Sequence, residues 1–164
     1  MDFSTNALQV FDKDWALLTA GTEQHYNTMT ISWGGLGTLW GKPVATVYVK
    51  PIRYTHDFME QSDCFTVSFY PAQYRRALGL LGSLSGRDGD KIAQAGLTPR
   101  FLDGAVTFRE AKITLVCKKI YRQDMDTAQM PADVVSDHYE SEAAHTMYIG
   151  EVVDIVCGEP LPQE

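Results

Sequence analysis

Apolar and polar residues alternate with a period of two through much of the chain, the mark of β-strands whose successive side chains face opposite ways. Six runs carry the period most clearly, at 15–20, 28–33, 44–49, 64–69, 113–121 and 147–156. In the fourth, Phe65, Val67 and Phe69 share one face and Cys64, Thr66 and Ser68 the other. The run 44–49 is β-branched and aromatic, and Gly41-Lys42-Pro43 ahead of it supplies a turn. So many strands leave exposed edges unless the sheet curls on itself. The pattern therefore predicts a mainly β chain closed, or nearly closed, into a barrel of about six strands.

Helical spacing interrupts the strands in three places. Residues 54–61 form a short helix after the strand-stopping Pro51. Residues 72–84 place Tyr74, Leu78 and Leu81 on one face and turn Arg75 and Arg76 to solvent, as in a helix lying across the barrel. Residues 88–95 open on Asp88, a capping residue type, and stop at Gly96, with only Ile92 and Ala95 as an apolar face. From 123 to 144 the chain turns polar, without a steady period. A stretch of that length reads as a lid or interface element on a single domain spanning 1–164.

Composition narrows the function classes. With 164 residues, 45% hydrophobic and 21% charged, the chain can build one packed core. No stretch approaches the roughly 20 consecutive apolar residues of a membrane span. Residues 1–10 carry Asp2 and no basic region ahead of an apolar run, so a cytoplasmic protein with no membrane partner is expected. The 14 Lys and Arg against 21 Asp and Glu leave a net charge of −7, a field that repels nucleic acid. An anionic mononucleotide is still compatible, because screening limits that field to roughly 8 Å at physiological salt and a few local cations suffice. Cys64, Cys117 and Cys157 are far apart and odd in number, which favours buried or inert thiols over disulfides or a zinc site.

Three segments concentrate hydroxyl, glycine and cationic groups: Asn27-Thr28-Met29-Thr30-Ile31-Ser32-Trp33-Gly34, Pro51-Ile52-Arg53-Tyr54-Thr55 and Gly82-Ser83-Leu84-Ser85-Gly86-Arg87-Asp88. Such groups hold a phosphate and a planar polar ring by neutral and charge-assisted hydrogen bonds. In the first segment Thr28, Thr30 and Ser32 alternate with Met29, Ile31 and Trp33, and the sequence leaves open which face meets a ligand. In the second, Arg53 stands at a strand-to-helix junction, where unpaired N–H groups favour an anion, so it is either a phosphate anchor or, as is commoner for a lone Arg before Thr at a helix start, a solvated charge beside a cap. In the third, two hydroxyls lie between glycines and Lys91 follows, but the Gly-Lys-Ser/Thr ending of a Walker A loop is missing. Arg87 can equally cap or pair with Asp88 or Asp90. None of the four histidines has metal-ligand spacing, so no metal is expected. Asp137 and His138 form no triad with any marked serine, which leaves hydrolysis unsupported.

In order and content these segments resemble the flavin reductase-like family of FMN-binding split-barrel proteins, which includes flavoredoxins, over about residues 15–156. The resemblance implies a mainly β fold, a split Greek-key β-barrel with short flanking α-helices. It also implies noncovalent FMN and a homodimer with FMN near the subunit interface. Asn27, Thr28, Met29, Thr30, Ser32 and Trp33 become implied contacts of the isoalloxazine ring, with Met29 and Thr28 ranked above Thr30 and Ser32. Gly34, Gly35 and Gly37 then fit a loop of close backbone approach. The second match adds Arg53, Tyr54 and Thr55, and the third adds Ser83, Ser85, Gly86 and Lys91. His145 corresponds to a histidine often found near the flavin or the nicotinamide path in related reductases, and is the candidate for a catalytic role.

The implied function is electron transfer through bound flavin. One form is an NAD(P)H-dependent flavin reductase-like oxidoreductase taking hydride from NADH or NADPH. The other is a non-catalytic flavoredoxin-type carrier serving a small-molecule or redox-protein partner. The pyridoxamine-phosphate-oxidase-like branch shares barrel and FMN but needs a second basic cluster, which this chain lacks. No Gly-x-Gly-x-x-Gly fingerprint is present, so a nicotinamide is expected in the flavin cleft itself.

Overall fold

The computed structural model describes residues 3–159; the ends of the expected 1–164 domain, residues 1–2 and 160–164, lie outside the described residues. A short helix, α1 (Ala7–Val10), is capped by the Asn6 side chain and leads into β1 (Ala16–Gly21), β2 (Tyr26–Ile31), β3 (Gly34–Leu39) and β4 (Lys42–Val49). There follow α2 (Tyr54–Gln61), β5 (Cys64–Phe69), α3 (Arg75–Ser83), α4 (Lys91–Ala95), β6 (Pro99–Leu102) and β7 (Ala105–Phe108). The chain ends in β8 (Ile113–Asp124), α5 (Ala132–His138) and β9 (Thr146–Cys157). Seven strands pair antiparallel in the order β2-β1-β5-β8-β9-β4-β3, and β6 with β7 makes a separate hairpin.

The outer strands of the large sheet, β2 and β3, are consecutive in the chain, with only Ser32 and Trp33 between them. One run, 26–39, therefore pairs with β1 through its first half and with β4 through its second. The two ends of the sheet are joined by the backbone itself, and the sheet curls into a barrel split at that corner. β8 and β9, at 12 residues each the longest strands, follow the curl through irregularities at Val116/Cys117 and Lys119/Tyr121.

Alternation in β5 sorts the interior as the sequence predicts. Phe65, Val67 and Phe69 pack with Leu18, Val47, Leu115 and Tyr148 inside the barrel. The opposite face, Thr66 and Ser68, is fully buried as well, because the β6–β7 hairpin covers it. Thr66 Oγ1 donates to the Val106 carbonyl at 2.6 Å, and the hydroxyls of Ser68, Thr107 and Thr114 bond one another at 2.7 to 3.1 Å. These bonds offset the cost of burying four hydroxyls. Outside the barrel, Leu78 and Leu81 of α3 pack on Leu17 and Phe108, so α3 lies where its periodicity places it.

Other expectations need correction. Among the described residues the barrel sheet has seven strands where about six were expected, and two more form the β6–β7 hairpin. Gly34, Gly35 and Gly37, expected in a loop, belong to β3, where the ladder to β4 overrides glycine's poor strand preference. Gly34 is required there because an added Cβ would stand 2.7 Å from the Phe11 ring. The turn into β4 uses Trp40 and Gly41, at φ 51° and 71°, the primed geometry that matches strand twist. β6 and β7 turn at Asp103-Gly104, a two-residue hairpin loop with Gly104 at φ 73°. The third helix is capped by Asp90, whose side chain accepts from Ala93 N–H, rather than by Asp88, and it ends at Gly96 as expected. Residues 72–84 divide into a 3-10 turn, Ala72–Tyr74, and α3. The polar stretch contains α5 after Pro131, and β8 reaches into it as far as Asp124. The three cysteines are free thiols; burial raises the thiol pKa of Cys64 and Cys117, whereas Cys157 is exposed.

Gly150 in β9 leaves no room for a side chain. Its missing Cβ would sit 2.6 Å from the Phe65 ring and 2.7 Å from Cys117 Cβ, while nothing lies within 4 Å of the equivalent point at Gly35. Gly150→Ala is expected to destabilise the fold by about 1–3 kcal/mol through overpacking. Gly35→Ala is expected to change stability by less than about 1 kcal/mol. Urea unfolding of the two variants checks the contrast.

Candidate functional site

The corner where β2 passes into β3 cannot close as tightly as the rest of the barrel, and a cavity of about 740 Å³ opens there. Its first wall is the corner itself, with Asn27, Met29, Thr30, Ser32 and Trp33. The second is the end of β4 and the start of α2, with Tyr48, Lys50, Arg53, Tyr54 and Thr55. Across from these, the C-terminal end of α3 and the loop after it bring Leu84, Ser85, Gly86, Arg87 and Lys91. Glu142 and His145, from the strap 125–145 between β8 and β9, complete the lining.

Twelve of the residues singled out in the sequence thus face one space: Asn27, Met29, Thr30, Ser32, Trp33, Arg53, Tyr54, Thr55, Ser85, Gly86, Lys91 and His145. Two do not. Thr28 is fully buried against β1, where its hydroxyl donates to the Leu18 carbonyl and pairs with Thr19 Oγ1. Ranked above Thr30 and Ser32, which share its alternating set, it lies further from the corner, and only those two reach the cavity. Ser83 spends its hydroxyl on the Leu80 carbonyl at the end of α3 and stays outside the cavity. Thr30 lines the space, although its hydroxyl is bonded to the Leu78 carbonyl.

The loop after α3 is fastened by Arg87. Its guanidinium donates to the Ile52 carbonyl at 3.0 Å, pairs with Asp57 at 3.1 Å and lies over the Tyr54 ring at 4.8 Å. Asp57, on another element, is the partner, in place of the expected Asp88 or Asp90. Held this way, the loop brings Gly86 so close that a Cβ would fall 2.4 Å from Asn27 Oδ1, while Asn27 Nδ2 donates to Thr55 Oγ1 at 2.9 Å. Only a glycine lets bare backbone form the cavity wall here.

Charge is divided unequally among the cationic groups of the lining. Lys50 is paired with Glu142 at 2.6 Å, and Arg87 with Asp57. Arg53 and Lys91 have no carboxylate partner among the described residues. Arg53 is exposed at the N-cap of α2 and leaves that helix end without a side-chain cap. Lys91 is 4% exposed, and its ammonium donates to the carbonyls of Leu81 and Leu84 at 3.0 and 3.1 Å. Burial, and secondly Arg53, push its pKa down to about 8. Two mutually repelling cations beside a free helix N-terminus and bare loop backbone make a binding place for a multiply charged anion.

The opposite side of the cavity carries a neutral imidazole. His145 is 8% exposed, and burial, then Lys50, His138 and Arg53, push its pKa down to about 4. Its Nδ1 lies 2.7 Å from the Tyr139 hydroxyl, and the Trp33 ring stands 5.3 Å away. With anion-binding groups at one side, amide, hydroxyl and imidazole groups around it and Met29, Trp33 and Leu84 as apolar surface, the donor set fits a phosphorylated aromatic ring system such as FMN.

Sequence reasoning missed Tyr48, Lys50 and Glu142 as lining residues. Lys50 had a signal, standing directly ahead of the Pro51-Ile52-Arg53-Tyr54-Thr55 segment at a strand end. Glu142 had none, because its place depends on how the strap folds back.

A family model described as "Flavin reductase like domain" matches residues 10–164. No curated protein matches the chain significantly. Among solved structures, the fold is shared with a flavoredoxin from Methanosarcina acetivorans at a TM-score of 0.71 and 18% identity, over 89% of this chain and 69% of that one. It is shared with the flavoredoxin of Desulfovibrio vulgaris (Miyazaki F) at 0.70 and 23%, over 97% and 78% of the two chains. An FMN-binding protein from Thermus thermophilus with bound p-hydroxybenzaldehyde gives 0.69 and 22%, over 100% and 85%. These likenesses bear out the split barrel. Because the family match takes in every wall of the cavity, the chain belongs to the flavin reductase-like domain family.

Proposed function

We propose that this protein binds FMN in the corner cavity and works as an NAD(P)H-dependent flavin reductase-like oxidoreductase. The observation that carries this reading is the pair Arg53 and Lys91, uncompensated by carboxylates and set beside the bare backbone of Gly86 in a space of about 740 Å³. Arg53, Lys91, Ser85 and the first N–H groups of α2 would hold the phosphate. Asn27, Ser32 and His145 offer polar partners for ring heteroatoms, and Met29 with Trp33 gives apolar surface. Bound FMN supplies the hydride and electron chemistry, which no side chain of this cavity provides.

The chain's own residues bind, orient and exclude water. Arg87 keeps the phosphate-side loop closed, and the Lys50–Glu142 pair holds the strap against the rim. His145 stays uncharged at neutral pH and so offers a hydrogen bond rather than a proton. Trp33, Ile52 and Leu84 are exposed large apolar residues around the opening, which supports a homodimer whose second subunit covers the cavity mouth. Flavin content of the purified protein, followed by NADH and NADPH oxidation with added flavin, tests the function. FMN binding without nicotinamide oxidation would leave the flavoredoxin-type carrier, and no binding would end the reading.

Arg53→Ala is expected to weaken FMN binding about tenfold to hundredfold, since a charged hydrogen bond contributes roughly 1.5–3 kcal/mol. Fluorescence titration of flavin measures this. A second expectation follows from Lys91. A phosphate beside it favours the charged ammonium, so its pKa in the complex lies above the free value of about 8. FMN affinity is therefore full below about pH 8 and falls as pH rises through that value. Dissociation constants from about pH 7 to 10 check it, and a flat profile would take Lys91 out of the site.

A further inference from the structure

The strap 125–145 meets Lys50 and Trp33 of the barrel, and a third contact closes within the strap itself. Lys50 Nζ donates to the His138 carbonyl at 3.1 Å, pairs with Glu142 at 2.6 Å and stands 5.6 Å from the centre of the Tyr139 ring. Trp33 packs edge-on against the His138 ring at 5.3 Å. Tyr139, directly after α5, places its hydroxyl 2.7 Å from His145 Nδ1. The other ring nitrogen, Nε2, has no hydrogen-bond partner among the described residues, and His145 lines the cavity.

A neutral imidazole has one N–H and one bare nitrogen, and the partner at Nδ1 decides which is which. A phenol O–H is a far stronger acid than a neutral imidazole N–H, and the bare imidazole nitrogen is a stronger base than a phenol oxygen. A cation over the face of the ring draws density from the phenol and strengthens it further as a donor. The Tyr139 proton therefore goes to Nδ1.

We propose that Tyr139 is a positioning residue that holds His145 as its Nε2–H tautomer, so that the cavity offers a neutral hydrogen-bond donor to a carbonyl oxygen or ring nitrogen of the bound flavin. The flavin half of this statement rests on the function proposed above; the tautomer half does not. The charged and titratable groups facing His145 are Lys50 at the end of β4, Arg53 at the start of α2, His138 on α5 and Glu142 on the strap, and their net effect with burial keeps the ring uncharged. A fixed neutral donor binds an acceptor more strongly as that acceptor gains negative charge, so this one favours the reduced, anionic flavin over the oxidised form.

The test uses the full chain labelled with ¹⁵N-histidine. Long-range ¹H–¹⁵N spectra of the ligand-free protein should show His145 protonated on Nε2 and not titrating between about pH 5.5 and 8. In Tyr139→Phe, which keeps the ring, the tautomers should become mixed. The affinity for reduced FMN should fall about tenfold, while that for oxidised FMN changes less than about twofold. Glu142→Gln, which loosens the strap without touching the imidazole, should leave the tautomer unchanged. A wild-type ring protonated on Nδ1, an unchanged tautomer in Tyr139→Phe, or the same mixing in Glu142→Gln would each overturn the assignment. A wild-type protein that shows the Nε2–H signal but takes up no FMN supports the tautomer and overturns the flavin reading.

Discussion

The fold turns on one requirement: a backbone edge must find a partner, and here the two edges of a seven-stranded sheet find theirs through a single bent run of chain. Ser32 and Trp33 are the bend. Because the first half of the run is committed to β1 and the second to β4, the corner between them has no ladder to complete, and side chains must fill it or leave it open. The cavity is what they leave. Its position thus follows from strand closure: Ser32 and Trp33, outside both strands, line it together with Met29, Thr30 and Ile31 at the end of β2.

Around that opening the protein separates structural charge from available charge. Arg87 and Lys50 each have a carboxylate partner and each fastens a segment, the loop after α3 and the strap before β9. Arg53 and Lys91 have none and face the space between. Surface ion pairs contribute little to stability individually, so the value of the two pairs lies in holding the loop and the strap where they form walls. An acidic chain of net charge −7 can still receive an anion, because the groups that matter lie within one screening length of it.

Much of this arrangement was legible in the sequence where local chemistry governs. Alternation in 64–69 gave the barrel face of Phe65, Val67 and Phe69, and the Pro51 stop gave the bounds of α2. The glycines of 34–37 concealed a strand, since the ladder to β4, a long-range contact, decides their state. The two edge residues Thr28 and Thr30 look alike in sequence, but one is used to knit β2 to β1 and only the other borders the cavity. Arg87 illustrates the same limit: its neighbours Asp88 and Asp90 were nearest along the chain, while Asp57 was nearest in space.

Lys91 joins two tasks that are usually separate. Its ammonium ties off the last carbonyls of α3 and also borders the cavity, a nearly enclosed cation with carbonyl partners and, among the described residues, no carboxylate to balance its charge or that of Arg53. An anion held there would offset the repulsion between Lys91 and Arg53, and because the same ammonium ties off α3, its arrival would be felt by the helix end and the loop 84–90 together.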